Sequence, residues 1–167
     1  IDYISIQGLG DTIDFGDLTR IRGAAACLAS PVRGIIAVGE GASDNTIDYI
    51  TIMTTGNAVE FGDLSQYVTS PSSGGGNATR GLIIGGFISP GRINNIEYVT
   101  IATRGNAIDF GDLDQAANTA AAVSSPTRAV NGGGSTGSQI DVLNSIQIQT
   151  TGNALDFGDL VYGRFSL

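Results

Sequence analysis

Pairs of acidic residues three positions apart recur four times along this chain of 167 residues. They are Asp14 and Asp17, Glu60 and Asp63, Asp109 and Asp112, and Asp156 and Asp159. Paired carboxylates act as general acid and base in glycosidases, and carboxylate oxygens also bind Ca²⁺. A catalytic pair is normally unique in a chain, however, and Asp and Glu interchange at the first position, which suits a charge role better than strict metal geometry. We therefore expect turn caps or ion pairs, with Ca²⁺ as a weaker alternative and with no catalytic residue and no cofactor.

One arginine per repeat is a natural partner for these acids. Arg33, Arg80 and Arg128 each lie 15 or 16 residues after the Leu that follows an acid pair, and each precedes an apolar, Gly-rich run. A guanidinium binds a carboxylate bidentately, and a buried pair of this kind sets registry more than stability. We predict structural pairs between repeats that join these arginines to the second acid of each pair. Those acids are Asp17, Asp63, Asp112 and Asp159. The alternative is a site for an anion or an acidic glycan.

Two other kinds of side chain have simple structural interpretations. Tyr3, Tyr49 and Tyr98 share one repeat position. Such aromatics can stack on sugars, but we expect core residues with their hydroxyls near the rim. Cys27 lies among small residues, and we expect it to be a buried small hydrophobe. A catalytic thiolate normally requires a His, and the chain contains none.

The charge balance narrows the possible partners. The chain has 16 acidic residues against 8 basic ones, for a formal net charge of −8. Nucleic acids and anionic membrane surfaces both require clustered positive charge. In addition, no run approaches the roughly 18 apolar residues that span a bilayer. We therefore expect neither a nucleic-acid partner nor insertion into a membrane.

These residues recur because the chain itself is repetitive. Four 18-residue segments align without a gap, at 1–18, 47–64, 96–113 and 143–160, and their starts are 46, 49 and 47 residues apart. A fixed period of this length is typical of repeat architectures. Residues 1–167 therefore form a single repeat domain with units of about 47 residues, which start near 1, 47, 96 and 143.

Each unit reads as four short strands. The β-branched and aromatic residues at 47–52 predict a strand, Gly56-Asn57 predicts a hairpin turn, and Val59-Glu60-Phe61 predicts the returning strand. A strand of small residues, such as 117–123, and the apolar strand after the arginine complete the unit. Both faces of 47–52 are largely apolar, which favours a sheet covered on both sides by its neighbours, as in a β-propeller.

Two motifs resemble known repeats. The double glycines Gly85-Gly86 and Gly132-Gly133, with Tyr98 a dozen residues after the first pair, resemble kelch-type propeller repeats. The motif Gly-Asn-Ala-x-Asp-Phe-Gly-Asp-Leu, at 56–64, 105–113 and 152–160 with a variant at 10–18, more closely resembles repeats of marine bacteriophage structural and tail-fibre-like proteins. The resemblance implies an all-β, β-propeller-type tandem repeat with four-stranded blades and about 3.5 to 4 blades per chain.

The strand count leaves such a propeller incomplete. The chain carries four copies of the first hairpin and three of the other, and Tyr162-Gly163-Arg164-Phe165 looks like the next small-residue strand. A four-bladed ring would lack the apolar strand after the arginine. Another chain or further sequence would supply it, two chains would share a ring of about eight blades, or the ring would stay open. Open edges recruit partners, and pairing that does not close extends into a fibre.

We therefore expect a non-enzymatic structural or assembly module of an extracellular fibre or virion appendage, located outside the cell or on the virion surface. Its partners would be copies of itself. The alternative is a lectin-like propeller that binds a surface glycan or a receptor through loops between blades. An enzyme on this scaffold would need a unique polar constellation, and the sequence offers none.

Overall fold

The fold consists of β-strands and connecting segments. The computed structural model describes residues 1–39 and 45–165, with only the main chain of Ser72. Across these ranges, 14 strands form one two-stranded and three four-stranded antiparallel sheets, and there is no helix. The all-β class and the four strands per unit are therefore confirmed.

Each four-stranded sheet is a meander in which strands that are consecutive in the chain are neighbours in space. A two-stranded ladder consists of β1 (Asp2–Tyr3) and β2 (Ile13–Asp14). Sheet 1 consists of β3 (Ala26–Ala29), β4 (Arg33–Ala37), β5 (Thr46–Thr51) and β6 (Val59–Asp63). Sheet 2 consists of β7 (Ser70–Gly76), β8 (Arg80–Ile88), β9 (Gly91–Thr100) and β10 (Ile108–Asp112). Sheet 3 consists of β11 (Ala121–Ser124), β12 (Arg128–Gly132), β13 (Val142–Gln147) and β14 (Leu155–Asp159).

The four aligned segments pair their strands in the same register. The second residue of each segment lies opposite the first acid of its Asp/Glu pair. These partners are Asp2 and Asp14, Asp48 and Glu60, Glu97 and Asp109, and Asn144 and Asp156. Segment 1–18 is therefore folded as the outer half of a repeat unit.

The sheets bury one another's faces. One apolar cluster, which includes Ile35 and Phe61, joins sheet 1 to Ile83 of sheet 2. A second cluster joins Leu82 and Ile84 of sheet 2 to sheet 3. Because successive side chains of a strand point to opposite faces, β8 contributes to both clusters. Sheet 2 is thus covered on both sides, whereas the predicted strand at 47–52 in sheet 1 ends with Thr51 and Ile52 exposed.

Glycines allow the first strands of the three sheets to approach closely. A Cβ added at Gly74 would lie 2.7 Å from the main-chain oxygen of Cys27, and one added at Gly75 would lie 2.9 Å from Oγ of Ser124. Strand β7 therefore contacts β3 on one side and β11 on the other. The predicted strand of small residues at 117–123 is therefore present as the edge strand β11 of sheet 3. It begins at Ala121 rather than at 117.

Two expectations about local structure are wrong. The chain does not turn at Gly56-Asn57: it turns earlier, where the N–H of Thr54 donates to the oxygen of Thr51 (3.1 Å). Residues 162–165 also form no strand. Instead, the N–H of Arg164 donates to the oxygen of Ile140 (3.1 Å).

The described ranges do not close into a ring. Gly158 of sheet 3 has no non-neighbouring atom within 4 Å of an added Cβ, whereas the equivalent Gly16 and Gly111 each meet the following repeat at 2.5 Å. The propeller therefore stays a prediction.

Candidate functional site

The Gly-Asn-Ala motif of each repeat binds the Phe-Gly-Asp turn of the repeat before it. The N–H of Gly105 donates to the oxygen of Phe61 (3.0 Å), and the N–H of Ala107 donates to the oxygen of Asp63 (2.8 Å). In return, the N–H of Asp63 donates to Oδ1 of Asn106 (3.1 Å). We call this set of three hydrogen bonds the repeat junction.

The repeat junction occurs at all three boundaries between aligned segments. At the first boundary, Gly56, Ala58 and Asn57 bind the main chain of Phe15 and Asp17 at 2.7, 2.8 and 3.0 Å. At the third boundary, Gly152, Ala154 and Asn153 bind the main chain of Phe110 and Asp112 at 2.7, 2.8 and 3.1 Å. The recurring motif is thus explained by contact between repeats.

The glycine of the Phe-Gly-Asp turn is required by this contact. A Cβ added at Gly16 would lie 2.5 Å from the oxygen of Gly56, and one added at Gly111 would lie 2.5 Å from the oxygen of Gly152. Real Cβ atoms do not approach oxygen so closely. Any side chain at these positions would therefore push the two repeats apart.

A second contact between repeats buries a polar side chain. The carboxylate of Asp48 accepts hydrogen bonds from Oγ1 (2.6 Å) and N–H (3.2 Å) of Thr19. It also pairs with Nη2 of Arg22 at 3.1 Å, and both of these side chains are fully buried. Arg22 also donates to the oxygen of Thr46 (2.8 Å). A buried carboxylate with this many donors is compensated for its lost hydration.

The same position is polar and buried in the later repeats. Glu97 accepts hydrogen bonds from the N–H (3.2 Å) and the hydroxyl of Ser65, and Oδ1 of Asn144 accepts from the N–H of Asp114 (3.4 Å). This position was not among the predicted site residues. Its signal in the sequence is a polar residue at the second place of every aligned segment, with an apolar or aromatic residue on each side in the first three segments.

The recurring arginines link the repeats through carbonyl groups. Nη1 of Arg33 donates to the oxygens of Ile101 and Ala102, both at 2.8 Å. Nη1 of Arg80 donates to the oxygen of Ile148, also at 2.8 Å. These carbonyls lie where the strand ladder ends, so they need donors from elsewhere. The contact joins repeats, but the acceptors of these three bonds are main-chain oxygens, whereas the predicted partners were the carboxylates of Asp17, Asp63, Asp112 and Asp159.

Arg128 occupies the equivalent position in sheet 3. It is exposed, and its guanidinium lies 5.2 Å from the ring centroid of Phe157. Arg33 and Arg80 are half-buried by the sheet that follows theirs. Arg128 therefore presents the same group at the open end of the stack.

Two of the acids in the recurring pairs cap the Phe-Gly-Asp turn that follows them. Oδ1 of Asp14 accepts from the N–H of Gly16 (3.1 Å), and Oδ1 of Asp156 accepts from the N–H of Gly158 (2.9 Å). The prediction of turn capping is confirmed for these two acids. Within the part of the chain that the structure describes, no group of three or more His, Cys, Asp or Glu could hold a metal ion.

The repeated tyrosines are covered by the arginines. Tyr49 and Tyr98 are half-buried, and each lies edge-on to a phenylalanine with ring centroids 5.9 Å apart. The guanidinium of Arg33 lies 4.8 Å from the Tyr49 centroid, and that of Arg80 lies 4.4 Å from the Tyr98 centroid. Such a cation over an aromatic face is attracted by the ring. A sugar could stack there only by displacing the arginine.

The first strands of the three sheets line a cavity of about 440 Å³, and Cys27 lies on its wall. Cys27 is exposed, so its prediction as a buried residue is wrong: β3 is an edge strand. Neighbouring atoms still withdraw hydration from the thiol, and this desolvation raises its pKa above the usual range. A thiol with a raised pKa is a weaker nucleophile at neutral pH.

The comparisons with known proteins name no family. No protein-family model matches the chain, and no curated protein matches it. No helix of the described ranges is long and apolar enough to cross a membrane.

Proposed function

We propose that this chain is a non-enzymatic structural module whose repeats assemble end to end into an extracellular fibre or a virion appendage. The recurring polar residues support this proposal because they are used between repeats. The Asn of each Gly-Asn-Ala motif accepts a bond from the previous repeat, and Arg33 and Arg80 donate to the next one. Residues engaged in this way support a structural role for the repeated motif.

The observation that carries the proposal is the loss of cover at the two ends of the stack. Ile6 is 96% exposed and the equivalent Ile52, preceded only by the two-stranded ladder, is 40% exposed, whereas Ile101 and Ile148, each preceded by a four-stranded sheet, are at most 1% exposed. Phe157 is 49% exposed, whereas the equivalent Phe110 is 3% exposed beneath the following repeat. Each end thus exposes the apolar surface that the internal repeats bury against each other. Surfaces of this kind mark sites of association.

The fibre and virion setting comes from the resemblance of the Gly-Asn-Ala-x-Asp-Phe-Gly-Asp-Leu repeats to bacteriophage structural and tail-fibre-like proteins. The kelch-type resemblance adds that the sheets act as propeller blades. Whether the sheets extend as a fibre or close into a ring of blades, the repeat junction is the functional contact. Copies of the chain are the partners. A lectin-like function is less well supported because arginines cover the faces of Tyr49 and Tyr98.

Sedimentation velocity over a wide range of protein concentration tests the proposal, with negative-stain microscopy of the same samples. We expect the average mass to rise with concentration and particles to lengthen in one direction or to close into rings. A chain that remains monomeric at its highest soluble concentration would contradict the assembly function. A glycan array run in parallel covers the lectin alternative, and a defined sugar bound by a monomer would favour that alternative.

A further inference from the structure

We propose that copies of this chain join head to tail in the register of the internal repeats, and that Arg164 of one copy pairs with Asp2 of the next. This inference rests on the proposed assembly function and specifies its contact. Both residues are exposed. Their positions in the repeat are those of Arg22 and Asp48, which form the fully buried ion pair across the first boundary.

The equivalence follows from the alignment. Arg164 lies four residues after Leu160, as Arg22 lies four residues after Leu18. Asp2 is the second residue of its segment, as Asp48 is of the next. At the second boundary, these two positions hold Val68 and Glu97, and at the third they hold Ala117 and Asn144. The combination of Arg and Asp thus occurs at the first internal boundary and again at the two ends of the chain.

The main chain already places Arg164 as an internal repeat would. Its oxygen accepts a hydrogen bond from the N–H of Gly134 (2.8 Å). In the preceding repeat, the oxygen of Ala117 accepts from the N–H of Gly86 (3.0 Å) in the same way. Ala117 is also four residues after its closing Leu, Leu113. The segment after sheet 3 therefore follows the path that leads into the next repeat.

The hydrogen-bonding groups of a further repeat junction are divided in the same way, with the Phe-Gly-Asp turn in one copy and the Gly-Asn-Ala variant in the next. The oxygens of Phe157 and Asp159 are the acceptors for the N–H groups of Gly10 and Thr12 of the next copy. The N–H of Asp159 meets Asp11, which replaces the Asn of the motif and remains an acceptor. Arg128 donates to the oxygen of Ile6, the equivalent of Ile101 and Ile148. In that register, the next copy covers Phe157 of the first copy. The first copy in turn covers Ile6 of the next copy.

Charge reversal at the two positions tests this register. R164D places acids at both ends of a copy, and D2R places cations at both ends, so neither variant should pair with itself. Each should associate at least about 100-fold more weakly than the unchanged chain, because a charge would be buried without its partner. A one-to-one mixture should regain association, because every contact in an alternating assembly is again between Arg and Asp.

The measurements are sedimentation velocity of each variant and of the mixture, with circular dichroism to show that the fold is retained. R104D serves as a control, because Arg104 is exposed away from both ends and undergoes the same charge change; it should associate as the unchanged chain does. If the unchanged chain associates and R164D associates equally well, or if the mixture fails to recover, this register is wrong while assembly itself stands. If the unchanged chain does not associate at all, the proposed function fails as well.

Discussion

Replacement of Gly111 by Ala should separate the third and fourth repeats, and the same replacement at Gly158 supplies a matched control. Each glycine is the middle residue of a Phe-Gly-Asp turn in successive repeats, and both have positive φ, +146° and +125°. An added Cβ at Gly111 would lie 2.5 Å from the oxygen of Gly152, whereas one at Gly158 meets nothing within 4 Å. The two variants therefore share backbone strain and differ in the collision between repeats.

The magnitude follows from these contacts. Alanine at a positive φ of this kind costs about 1–3 kcal/mol at either position. Relief of the collision at Gly111 needs a shift of about 1 Å, which would lengthen the three hydrogen bonds of the repeat junction beyond effective range. At about 1 kcal/mol for each bond, Gly111→Ala should lose about 3 kcal/mol more than Gly158→Ala. That difference is a large share of a typical stability of about 5–15 kcal/mol.

Urea denaturation followed by far-UV circular dichroism measures both variants, at a protein concentration where the chain is monomeric. We expect a clearly lower midpoint for Gly111→Ala than for Gly158→Ala. A broadened transition for Gly111→Ala would indicate that sheet 3 unfolds separately from the rest. Equal losses of stability in the two variants would refute the steric requirement at the repeat junction.

Three further outcomes follow from the contacts between repeats. Asn106→Ala should lower the free energy of unfolding by about 1–2 kcal/mol because it removes the acceptor for a main-chain N–H. Asp11 holds the equivalent position in the first segment, which has no repeat before it in the structure, so Asp11→Ala should change that free energy by less than about 0.5 kcal/mol. A similar loss in both variants would contradict the role of the Asn. Asp48→Ala should cost about 3–5 kcal/mol in the same assay, because it leaves the Arg22 guanidinium buried without its partner; a loss below 1 kcal/mol, on the order of a surface change, would argue against that pair. The raised pKa of the Cys27 thiol leaves less thiolate at neutral pH, so a disulfide reagent should react more slowly with the folded chain than with the urea-unfolded chain. The two rates should converge as the pH rises. A faster reaction in the folded chain would contradict the desolvation of the thiol.

Local patterns predict the strands of this protein well. The β-branched residues of 47–52 and the apolar run after Arg80 form strands because each stretch is suited to a sheet covered on both faces. The period of about 47 residues then extends this prediction to every unit, since equivalent residues adopt the same register. Four-stranded units could therefore be read from sequence alone.

Partners across repeat boundaries could not be assigned in the same way. Gly56-Asn57 carries a strong hairpin signal, yet its polar groups bind the turn of the preceding repeat. Arg33 and the acids have complementary charges, yet the guanidinium meets carbonyl oxygens. In both cases the residue type predicts what kind of bond is formed, while the distance between repeats decides with which group.

The sequence by itself determined the all-β class, the four strands of each unit, their spacing and the residues that recur. These properties depend on local preference and on alternation within a strand, which are the same in every copy. Only the tertiary structure decided that the recurring motif joins neighbouring repeats, that Asp48 and Arg22 are buried together, and that Phe157 is exposed where the equivalent Phe110 is buried. Those outcomes depend on how closely one sheet approaches the next, a distance set by glycines and side-chain volumes from separate repeats acting together.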